Sequence, residues 1–569
     1  WMEVTIYFPV FSRLYLLLLL AVLVSLPLAA QKPADLVLTG GKVVTVDADL
    51  SEATALAARG DIIVAVGSEQ QVADFIGPET RVIDLEGRLV VPGFIDGHGH
   101  FMSLGSSLLQ LDLRPARSWQ QVVALVKQAV AKAAPGELIR GRGWHQEKWD
   151  QPPELAFEGL PHHGSLSAIS PDNPVILRHA SGHAVFANRY AMKMCGIDRK
   201  TLDPRGGEVV RDDKGDPIGV FRETASGLLA SARRNSSSAD PRKVVELATR
   251  ECLSKGITSF QDAGSPLATV ELFRTMAVEE TLGVRLWVML SDSNRRLQAA
   301  LPALDVKGIG HQHLTVGGIK RLIDGALGSH GAWLLDPYSD KPESTGLNTT
   351  PLATIAETAR LAVAHRLQLG VHAIGDRANR EILDIYETAL GSVEDGKQRR
   401  WRIEHAQHLH PDDVPRFAEL GLIASMQGVH CTSDGTWVAD RLGTERSASG
   451  AYLWRELIDS GVVVSNGTDC PVEDVDPIRC FHSTVTRLLE DGTSFYPEQK
   501  MTRMEALRSY TINCAYAAFE EHLKGSITTG KLCDVVVLNK DILTCPAAEI
   551  LEAKVDLTIV GGEVRYRRQ

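Results

Sequence analysis

Short apolar strands alternate with helical segments along the middle of the chain. The helical stretches DPRKVVELATRECLSKG and PLATVELFRTMAVEETLG are followed by the apolar runs ITSFQDAG and VRLWVML. LVVPGFIDGHGH precedes them, and five more runs follow: GIKRLIDGALG, LGVHAIGD, RWRIEHAQ, LIASMQG and VVVSNGTD. Alternating strands and helices predict a parallel sheet, and eight such units suggest a closed (β/α)8 barrel. An open doubly wound sheet is the alternative, but no G-x-G-x-x-G motif supports it.

Both ends of the chain have an all-β pattern instead. Residues 34–91 contain DLVLTGGKVVTVD, DIIVAVG and RVIDLEGRLVV. The C-terminal part has the same pattern in KLCDVVVLN and KVDLTIVGGEVRYR. β-Branched runs separated by glycine-containing turns are typical of short strands. We predict one composite β domain from residues 34–91 plus 525–569. Two separate hairpins, the alternative, would each leave an apolar face uncovered.

The barrel is predicted to span residues 92–524, with one connection that is too long for a plain loop. Residues 101–238 contain distinctive segments such as IRGRGWHQEKWDQPPEL and DNPVILRHASGHAVFANRYAM. A connection of this length is typical of a functional insertion or a subdomain. Because it leaves strand 1 at its carboxyl end, we expect it to cap the catalytic face of the barrel.

The first thirty residues follow the pattern of a secretory signal. Arg13 precedes the apolar run from Leu14 to Val24, and small residues lead to Ala30. This pattern predicts a signal peptide over residues 1–30 and an exported protein, whether periplasmic, secreted or lumenal. The preceding TIYFPVF lengthens the apolar region, so an uncleaved membrane anchor is the alternative. In that case only this segment would contact a membrane.

Composition narrows the class of protein without identifying it. The 569 residues are 44% hydrophobic and 23% charged, as in an ordinary globular protein with more than one domain. The net charge of −11 argues against a general nucleic-acid binder. The eight cysteines include no Cys-x-x-Cys pair, which argues against a thiolate zinc site. Homo-oligomerisation is left open.

Metal-ligating side chains occur at the ends of several predicted strands. His98 and His100 follow strand 1 two positions apart, so both imidazoles point the same way. Each such residue by itself has an ordinary structural interpretation, such as a hydrogen-bonded core histidine. Carboxyl ends of barrel strands meet on one face, and imidazoles and carboxylates are ligands for zinc or a similar ion. The joint pattern therefore favours a metal site built from His98, His100, Lys320, His372, His405 and Asp469.

On a set of motifs, the chain resembles the amidohydrolase superfamily. These motifs are PGFIDGHGH, GIKRLIDGALGS, VHAIGDRAN, RIEHAQ, GTDCPV and the closing GSITTGKLCDVVVLN. The resemblance is to the YtcJ-like and N-substituted formamide deformylase-like branch, amidohydrolase family 3, and extends from about Ala34 to Arg567. It implies a urease-like fold, a distorted (β/α)8 barrel with a small composite β-sandwich. It also implies a metal-dependent hydrolase that cleaves a non-peptide C–N bond of a small molecule with metal-activated water.

The resemblance also implies roles for the six strand-end residues. In a two-ion centre, a carboxylated Lys320 bridges the ions, one held by His98, His100 and Asp469 and the other by His372 and His405. In a one-ion centre, Lys320 or His405 supports the first ligands or contacts substrate. All six ligands are present, which favours two ions, and zinc is the expected metal. Asp469 is the predicted general base.

Substrate contacts are predicted for four further residues. His183 and His430 match positions that reach into the pocket, with structural hydrogen bonding as the alternative. Arg142 and Trp144 are predicted at its mouth, with packing inside the insertion as the alternative. His145 and the pair His330–Gly331 depart from the family pattern, so the substrate of a relative does not transfer directly. A deaminase or cyclic-amide hydrolase on the same centre, or a non-catalytic regulatory relative, are the alternative functions.

Overall fold

Eight parallel strands form a barrel at the centre of the computed structural model, which describes residues 1–3, 32–234 and 239–569. Each strand is hydrogen-bonded to the next in chain order, so the predicted parallel (β/α)8 arrangement is confirmed. Barrel strands 1 to 8 are Phe94–Gly99, Ile257–Ser265, Arg285–Leu290, Leu314–Leu322, Gln368–Ala373, Arg402–His405, Ile423–Met426 and Val463–Asn466.

The first and last barrel strands meet at their carboxyl ends, where the chain has just left strand 8. The backbone N–H of Asp469 donates to the carbonyl of His98 at 2.7 Å. The Asp96 carboxylate accepts from the backbone N–H of Thr468 at 3.0 Å and from its hydroxyl at 2.5 Å. These bonds bring the two ends of the sheet together and place His98 beside Asp469.

Helices surround the barrel because their apolar faces pack on buried strand residues. One example is Pro477–Thr486, whose N-terminus is capped by the Asp476 carboxylate through Ile478 N–H at 3.0 Å. The other α-helices of residues 239–569 are Pro241–Ser254, Leu267–Val278, Asn294–Ala300, Ile309–Gln312, Leu352–Ala364, Asp376–Leu390, Val414–Leu420, Gly428–Asp434, Val438–Leu442, Thr444–Gly450, Trp454–Asp459, Arg503–Ser509 and Ile512–Ala517. Short 3-10 turns occupy Leu301–Ala303, Lys397–Arg399, Pro411–Asp413, Pro497–Gln499 and Ala547–Glu552.

Both chain ends build one β-sandwich, as predicted. Strand Leu89–Pro92 pairs antiparallel with Val535–Leu538, so an N-terminal and a C-terminal strand are neighbours in one sheet. Apolar side chains of the two sheets, including Leu38 and Val537, form a shared core. The six-stranded sheet contains Glu563–Arg567, Val555–Val560, Val535–Leu538, Leu89–Pro92, Lys42–Val44 and Glu52–Ala53. The four-stranded sheet contains Ile62–Gly67, Ala55–Arg59, Leu36–Thr39 and Arg81–Asp84, with helix Glu69–Ala73 against it.

The long connection after strand 1 begins with helix Phe101–Ser107 and contains a sheet of its own. Its six strands, in spatial order, are Gly207–Arg211, Pro217–Glu223, Ala184–Ala187, Val175–His179, Ile139–Trp144 and Leu111–Asp112. A small hairpin joins Ala156–Phe157 to Leu160–Pro161. Its other helical segments are Trp119–Val130, Gln146–Lys148, Gly164–Ile169, Arg189–Met194, Thr224–Leu229 and Ala230–Arg234. This insertion carries its own apolar core and places several side chains over the barrel mouth.

Some sequence predictions stay predictions. The residue limits drawn for the domains, 34–91 plus 525–569, 92–524 and 101–238, are of this kind. The predicted signal peptide over residues 1–30 lies outside the described residues from position 4 onward. Among the described residues, no helix is both long and apolar enough to cross a membrane.

Candidate metal centre

Three predicted ligands converge at the carboxyl end of the barrel. Single ligand atoms of His98, His405 and Asp469 lie within 4.8 Å of one another, and all three residues are buried. Asp469 Oδ1 lies 3.6 Å from His98 Nε2 and 3.2 Å from His100 Nε2. The His372 ring centroid is 4.5 Å from that of His405. The structure therefore brings both imidazoles of the His-x-His motif and the two later histidines around one carboxylate.

Several buried atoms of this cluster have no hydrogen-bond partner among the residues that the structure describes. They are Nε2 of His98, Nε2 of His372 and Oδ1 of Asp469. A buried polar atom without a partner costs free energy, so such atoms are expected to bind a water molecule or an ion. All three atoms are lone-pair donors of one buried cluster, so their chemistry fits a divalent cation.

Polar partners hold two of the imidazoles in position. The Glu404 carboxylate contacts Nδ1 of His98, and the Gln427 carbonyl oxygen lies 2.7 Å from Nδ1 of His405. Each contact leaves Nε2 of the ring facing the centre. Metal-ligating histidines are typically oriented through their other nitrogen in this way.

The charge state of the cluster suits metal binding. Burial lowers the pKa of His98 to about 4 and the pKa values of His372 and His405 well below the ordinary value. Burial alone would raise the pKa of Asp469, but His100 and the other imidazoles outweigh it and hold that pKa well below its usual range. At neutral pH His98, His372 and His405 are therefore neutral and Asp469 is ionised, and these are the forms that bind a cation.

Lys320 lies at the end of barrel strand 4 with its amine among these groups. Burial lowers the pKa of Lys320, with the Glu404 and Asp469 carboxylates opposing the shift. Its amine forms no hydrogen bond with a described residue. The residue lines a cavity at the barrel mouth together with His372 and Asp469. A lowered pKa increases the share of unprotonated amine, which carboxylation of a lysine requires.

His183 and His430 also lie at the centre. Nδ1 of His183 contacts Glu223 at 2.8 Å, and its ring is 5.0 Å from that of His372. Burial alone would lower the pKa of His183, but the Glu223 carboxylate outweighs it and the pKa is raised. Nε2 of His430 is 3.9 Å from Asp469 Oδ2, is buried and makes no hydrogen bond. Both histidines thus face the space beside the predicted ligands.

Of the two residues predicted at the pocket mouth, the structure brings only one to the cavity. Arg142 lines it, with its Nε donating to the carbonyl of Pro471 at 3.0 Å. Trp144 is fully buried, and its indole N–H donates to the carbonyl of Leu177 at 3.1 Å. It belongs to the core of the insertion, so its position favours packing, the alternative interpretation, over substrate contact.

The departures from the family pattern also lie near the site. His145 lines a small cavity beside His183 and His430, with its ring 4.5 Å from that of His179. His330 sits 3.2 Å from both carboxylate oxygens of Asp340, and burial lowers its pKa to about 4. His145 is therefore close enough to contact a bound molecule, whereas the His330 side chain is paired with Asp340 of its own loop.

Sequence reasoning missed three residues that support the ligands. Glu404 lies between His98 and Arg402, with Oε1 at 2.8 Å from Arg402 Nε. Gln427 holds His405, and Asp324 lies 3.4 Å from Nε2 of His372 while accepting backbone N–H groups at 2.8 to 3.1 Å. The signal was present in RIEHAQ, SMQG and RLIDG, since each polar residue ends or nearly ends a buried strand.

A cavity of about 390 Å³ opens on the cluster. Its size suits a small molecule rather than a polymer. Barrel residues line one side and the insertion lines the other, so a ligand there would touch both. The lining includes His100, Lys320, His372, His405 and Asp469 from the barrel, and Arg142, Arg178, His183 and Glu223 from the insertion.

The fold and this centre define a class of protein, and comparison with known proteins agrees. The model of an amidohydrolase family matches residues 81–566, so the chain belongs to that family. This confirms the predicted class, a metal-dependent hydrolase of small molecules that acts on C–N bonds other than peptide bonds.

Individual relatives span almost the whole chain. Protein LONG AFTER FAR-RED 3 of Arabidopsis thaliana is 33% identical over 98% of this chain and 96% of its own. YtcJ of Bacillus subtilis is 28% identical over 93% of this chain and 99% of its own. The N-substituted formamide deformylase of Arthrobacter pascens is 29% identical over 94% of this chain and 98% of its own. These matches confirm the predicted branch. The crystal structure of a metal-dependent hydrolase from Pyrococcus horikoshii superposes with a TM-score of 0.72, at 23% identity over 90% of this chain and 99% of that one, and supports the fold.

Proposed function

We propose that this amidohydrolase cleaves an amide-type C–N bond with a zinc ion held by His98, His405 and Asp469. The observation that carries the proposal is the set of three buried ligand atoms within 4.8 Å of one another. His100 and His372 border the same space, and a carboxylated Lys320 would supply the ligand needed for a second ion. When bound, such an ion polarises the scissile carbonyl and acidifies water.

The chain's own residues supply the proton transfers. We assign Asp469 as the general base, because its depressed pKa keeps it ionised at the centre of the cluster. Asp469 accepts a proton as water attacks the carbonyl carbon, and it delivers that proton to the leaving nitrogen. His183 and His430 face the same space and are placed to hydrogen-bond the substrate. Water and the amide are thereby converted to a carboxylic acid and an amine.

The substrate class is proposed from the chain's relatives and its cavity. One relative is named an N-substituted formamide deformylase. The cavity of about 390 Å³ has room for a small N-substituted formamide. N-substituted formamides are therefore the first compounds to assay. From the N-terminal sequence pattern we also propose that the protein is exported. N-terminal sequencing of secreted protein tests this by locating a cleavage near Ala30.

Metal analysis tests the centre directly. Purified protein should contain at least one zinc per chain, and His98→Asn should remove most of it. His311→Asn is the matched control, because the His311 side chain is 71% exposed and the residue precedes barrel strand 4. Wild-type protein that binds neither zinc nor manganese would contradict the proposal. Two metals per chain, with added mass on Lys320, would establish the two-ion version.

Substitution of the base separates catalysis from metal binding. Asp469→Asn should abolish hydrolysis, because an amide cannot accept the proton, while most of the metal stays bound through the histidines. Turnover by formate release and metal content measured on one preparation give both readouts. Activity close to wild type in Asp469→Asn would show that another group is the base.

A further inference from the structure

Two arginines of the insertion face the metal centre side by side. Arg142 and Arg178 are register partners on neighbouring parallel strands, so their side chains emerge on the same face of that sheet. Both line the cavity of about 390 Å³ that contains Asp469 and Lys320. Two guanidinium groups therefore border the same cavity as the predicted catalytic carboxylate.

Neither arginine forms an ion pair with a carboxylate of the described residues. Arg142 donates from Nε to the carbonyl of Pro471 and from Nη2 to that of Ala180, each at 3.0 Å. Arg178 forms no hydrogen bond or ion pair with a described residue. By contrast, Arg222 of the same sheet is paired with Glu208 at 2.7 Å and with Glu158 at 2.9 Å. Within the part of the insertion that the structure describes, Arg222 is thus paired with two carboxylates, whereas Arg142 and Arg178 are paired with none.

This arrangement is unfavourable in the absence of an anion. Like charges directly opposite on neighbouring strands repel each other. Burial, with the charge of Arg178 added, lowers the pKa of Arg142 to about 9, and burial also lowers the pKa of Arg178. Two acids line the cavity with them: Glu223 is paired with His183, and Asp469 belongs to the proposed metal centre. An anionic group of a ligand would relieve this cost.

We propose that Arg142 and Arg178 bind an anionic group of the substrate, a carboxylate or a phosphate, while the scissile amide lies at the metal centre. The planar fork of a guanidinium matches such oxyanions with two parallel hydrogen bonds. Because Arg142 is anchored to Pro471, two residues beyond Asp469, the anion site is held at a fixed distance from the base. The inference rests on the proposed function and narrows its substrates to anionic N-substituted amides.

Binding measurements test the anion site without requiring turnover. The probes are N-formylglycine, its neutral primary amide, and (formylamino)methylphosphonate, titrated calorimetrically into the Asp469→Asn holoenzyme and into metal-stripped wild-type protein. An anionic probe should bind about ten- to one-hundred-fold more tightly than the neutral amide, the range of charge-assisted hydrogen bonds. A preference for the glycine compound identifies the carboxylate, and a preference for the phosphonate identifies the phosphate.

Substitutions of Arg178 test whether the anionic group binds at the two arginines. Arg178→Gln should reduce the preference to about one, and Arg178→Lys should restore part of it, because lysine keeps the charge but not the fork. Arg199→Gln is the control, since Arg199 is an exposed arginine of the insertion paired with Asp216. Equal binding of anionic and neutral probes, absence of binding, or a preference that survives Arg178→Gln but disappears on metal removal would overturn the inference. Metal content and hydrolysis of neutral formamides are separate readouts, so the proposed function can hold if the anion site fails.

Discussion

Glu404 shows how a single side chain outside the ligand set organises the centre. It is fully buried between Arg402 and His98. Burial alone would raise the pKa of Glu404, but the charge of Arg402 and the contact with His98 outweigh it and hold that pKa well below its usual range. The ionised Glu404 carboxylate contacts Nδ1 of His98, so Nε2 is the nitrogen that remains free to bind a metal.

Glu404→Gln is predicted to weaken the metal centre without removing a ligand. The amide lacks the negative charge, so the His98 ring loses its orienting partner and becomes less basic. We expect metal affinity to fall by about 10- to 100-fold, the range found for such supporting groups. Chelator competition measures the affinity, with Glu279→Gln at an exposed ion pair as the control. Unchanged affinity in Glu404→Gln would mean that His98 needs no orienting partner.

Strand-end geometry explains why neighbouring residues of the chain can serve one site. Alternation along a strand would turn Glu404 and His405 to opposite faces. His405 has a φ of 75° and Asp469 a φ of 54°, both in the left-handed region that non-glycine residues rarely adopt. The chain therefore turns at the ends of barrel strands 6 and 8. Such backbone strain is often found at functional sites.

The junction of barrel strands 1 and 8 is an element whose contribution can be measured. The Thr468 hydroxyl donates to Asp96 Oδ2 at 2.5 Å, and both residues are fully buried. Thr468→Val leaves the buried carboxyl with one donor fewer, so we expect a loss of about 1–3 kcal/mol in the free energy of unfolding. Denaturant unfolding gives the value. Thr388→Val, at an exposed threonine in helix Asp376–Leu390, should change stability far less.

If Thr468→Val unfolds at the same denaturant concentration as Thr388→Val, the bond to Asp96 does not hold the barrel closed. Metal content of the folded variant is a useful second measurement. Because Asp96 also accepts from the backbone N–H of His98 at 3.2 Å, a displaced Asp96 should lower metal occupancy as well.

At the scale of the whole molecule, a buried ion pair joins the barrel to the composite β domain. Arg285 of barrel strand 3 contacts Asp534 through two hydrogen bonds, at 2.7 and 3.0 Å. Both side chains are almost completely buried. Asp534→Asn would leave the buried Arg285 guanidinium without its hydrogen-bonded carboxylate, so we expect the free energy of unfolding to fall by about 3–5 kcal/mol. Thermal and urea unfolding measure it, with Asp216→Asn, at an exposed pair with Arg199, as the control.

The same pair predicts a pH dependence. Burial alone would raise the pKa of Asp534, but Arg285 outweighs it and lowers that pKa below its ordinary value of 3.8. A depressed carboxyl pKa contributes stability that is complete above the ordinary value and is lost as the pH falls through the folded value. The difference between wild type and Asp534→Asn should therefore be constant near neutrality and shrink only below a pH of about 4. A difference that already shrinks between pH 7 and 5 would contradict this assignment.

Much of the architecture was predictable because it depends on local patterns. Alternating apolar strands and amphipathic helices specify the barrel, and the similar strand patterns at both chain ends specify the sandwich. The metal ligands were predictable for a related reason. Parallel strands align their carboxyl ends, so polar residues there, such as His98 and Asp469, meet whatever their separation in the chain.

Tertiary structure alone decided the remaining features. Arg142 and Trp144 lie two residues apart in one motif, yet Arg142 lines the cavity and Trp144 packs in the insertion core with its indole bonded to Leu177. Arg178 could not be recognised as unpaired, because pairing depends on which distant carboxylates approach it. The sequence by itself thus determined the fold and the ligand types. The orientation of the ligands and the charge of the pocket depend on contacts between segments hundreds of residues apart, such as Glu404 with His98.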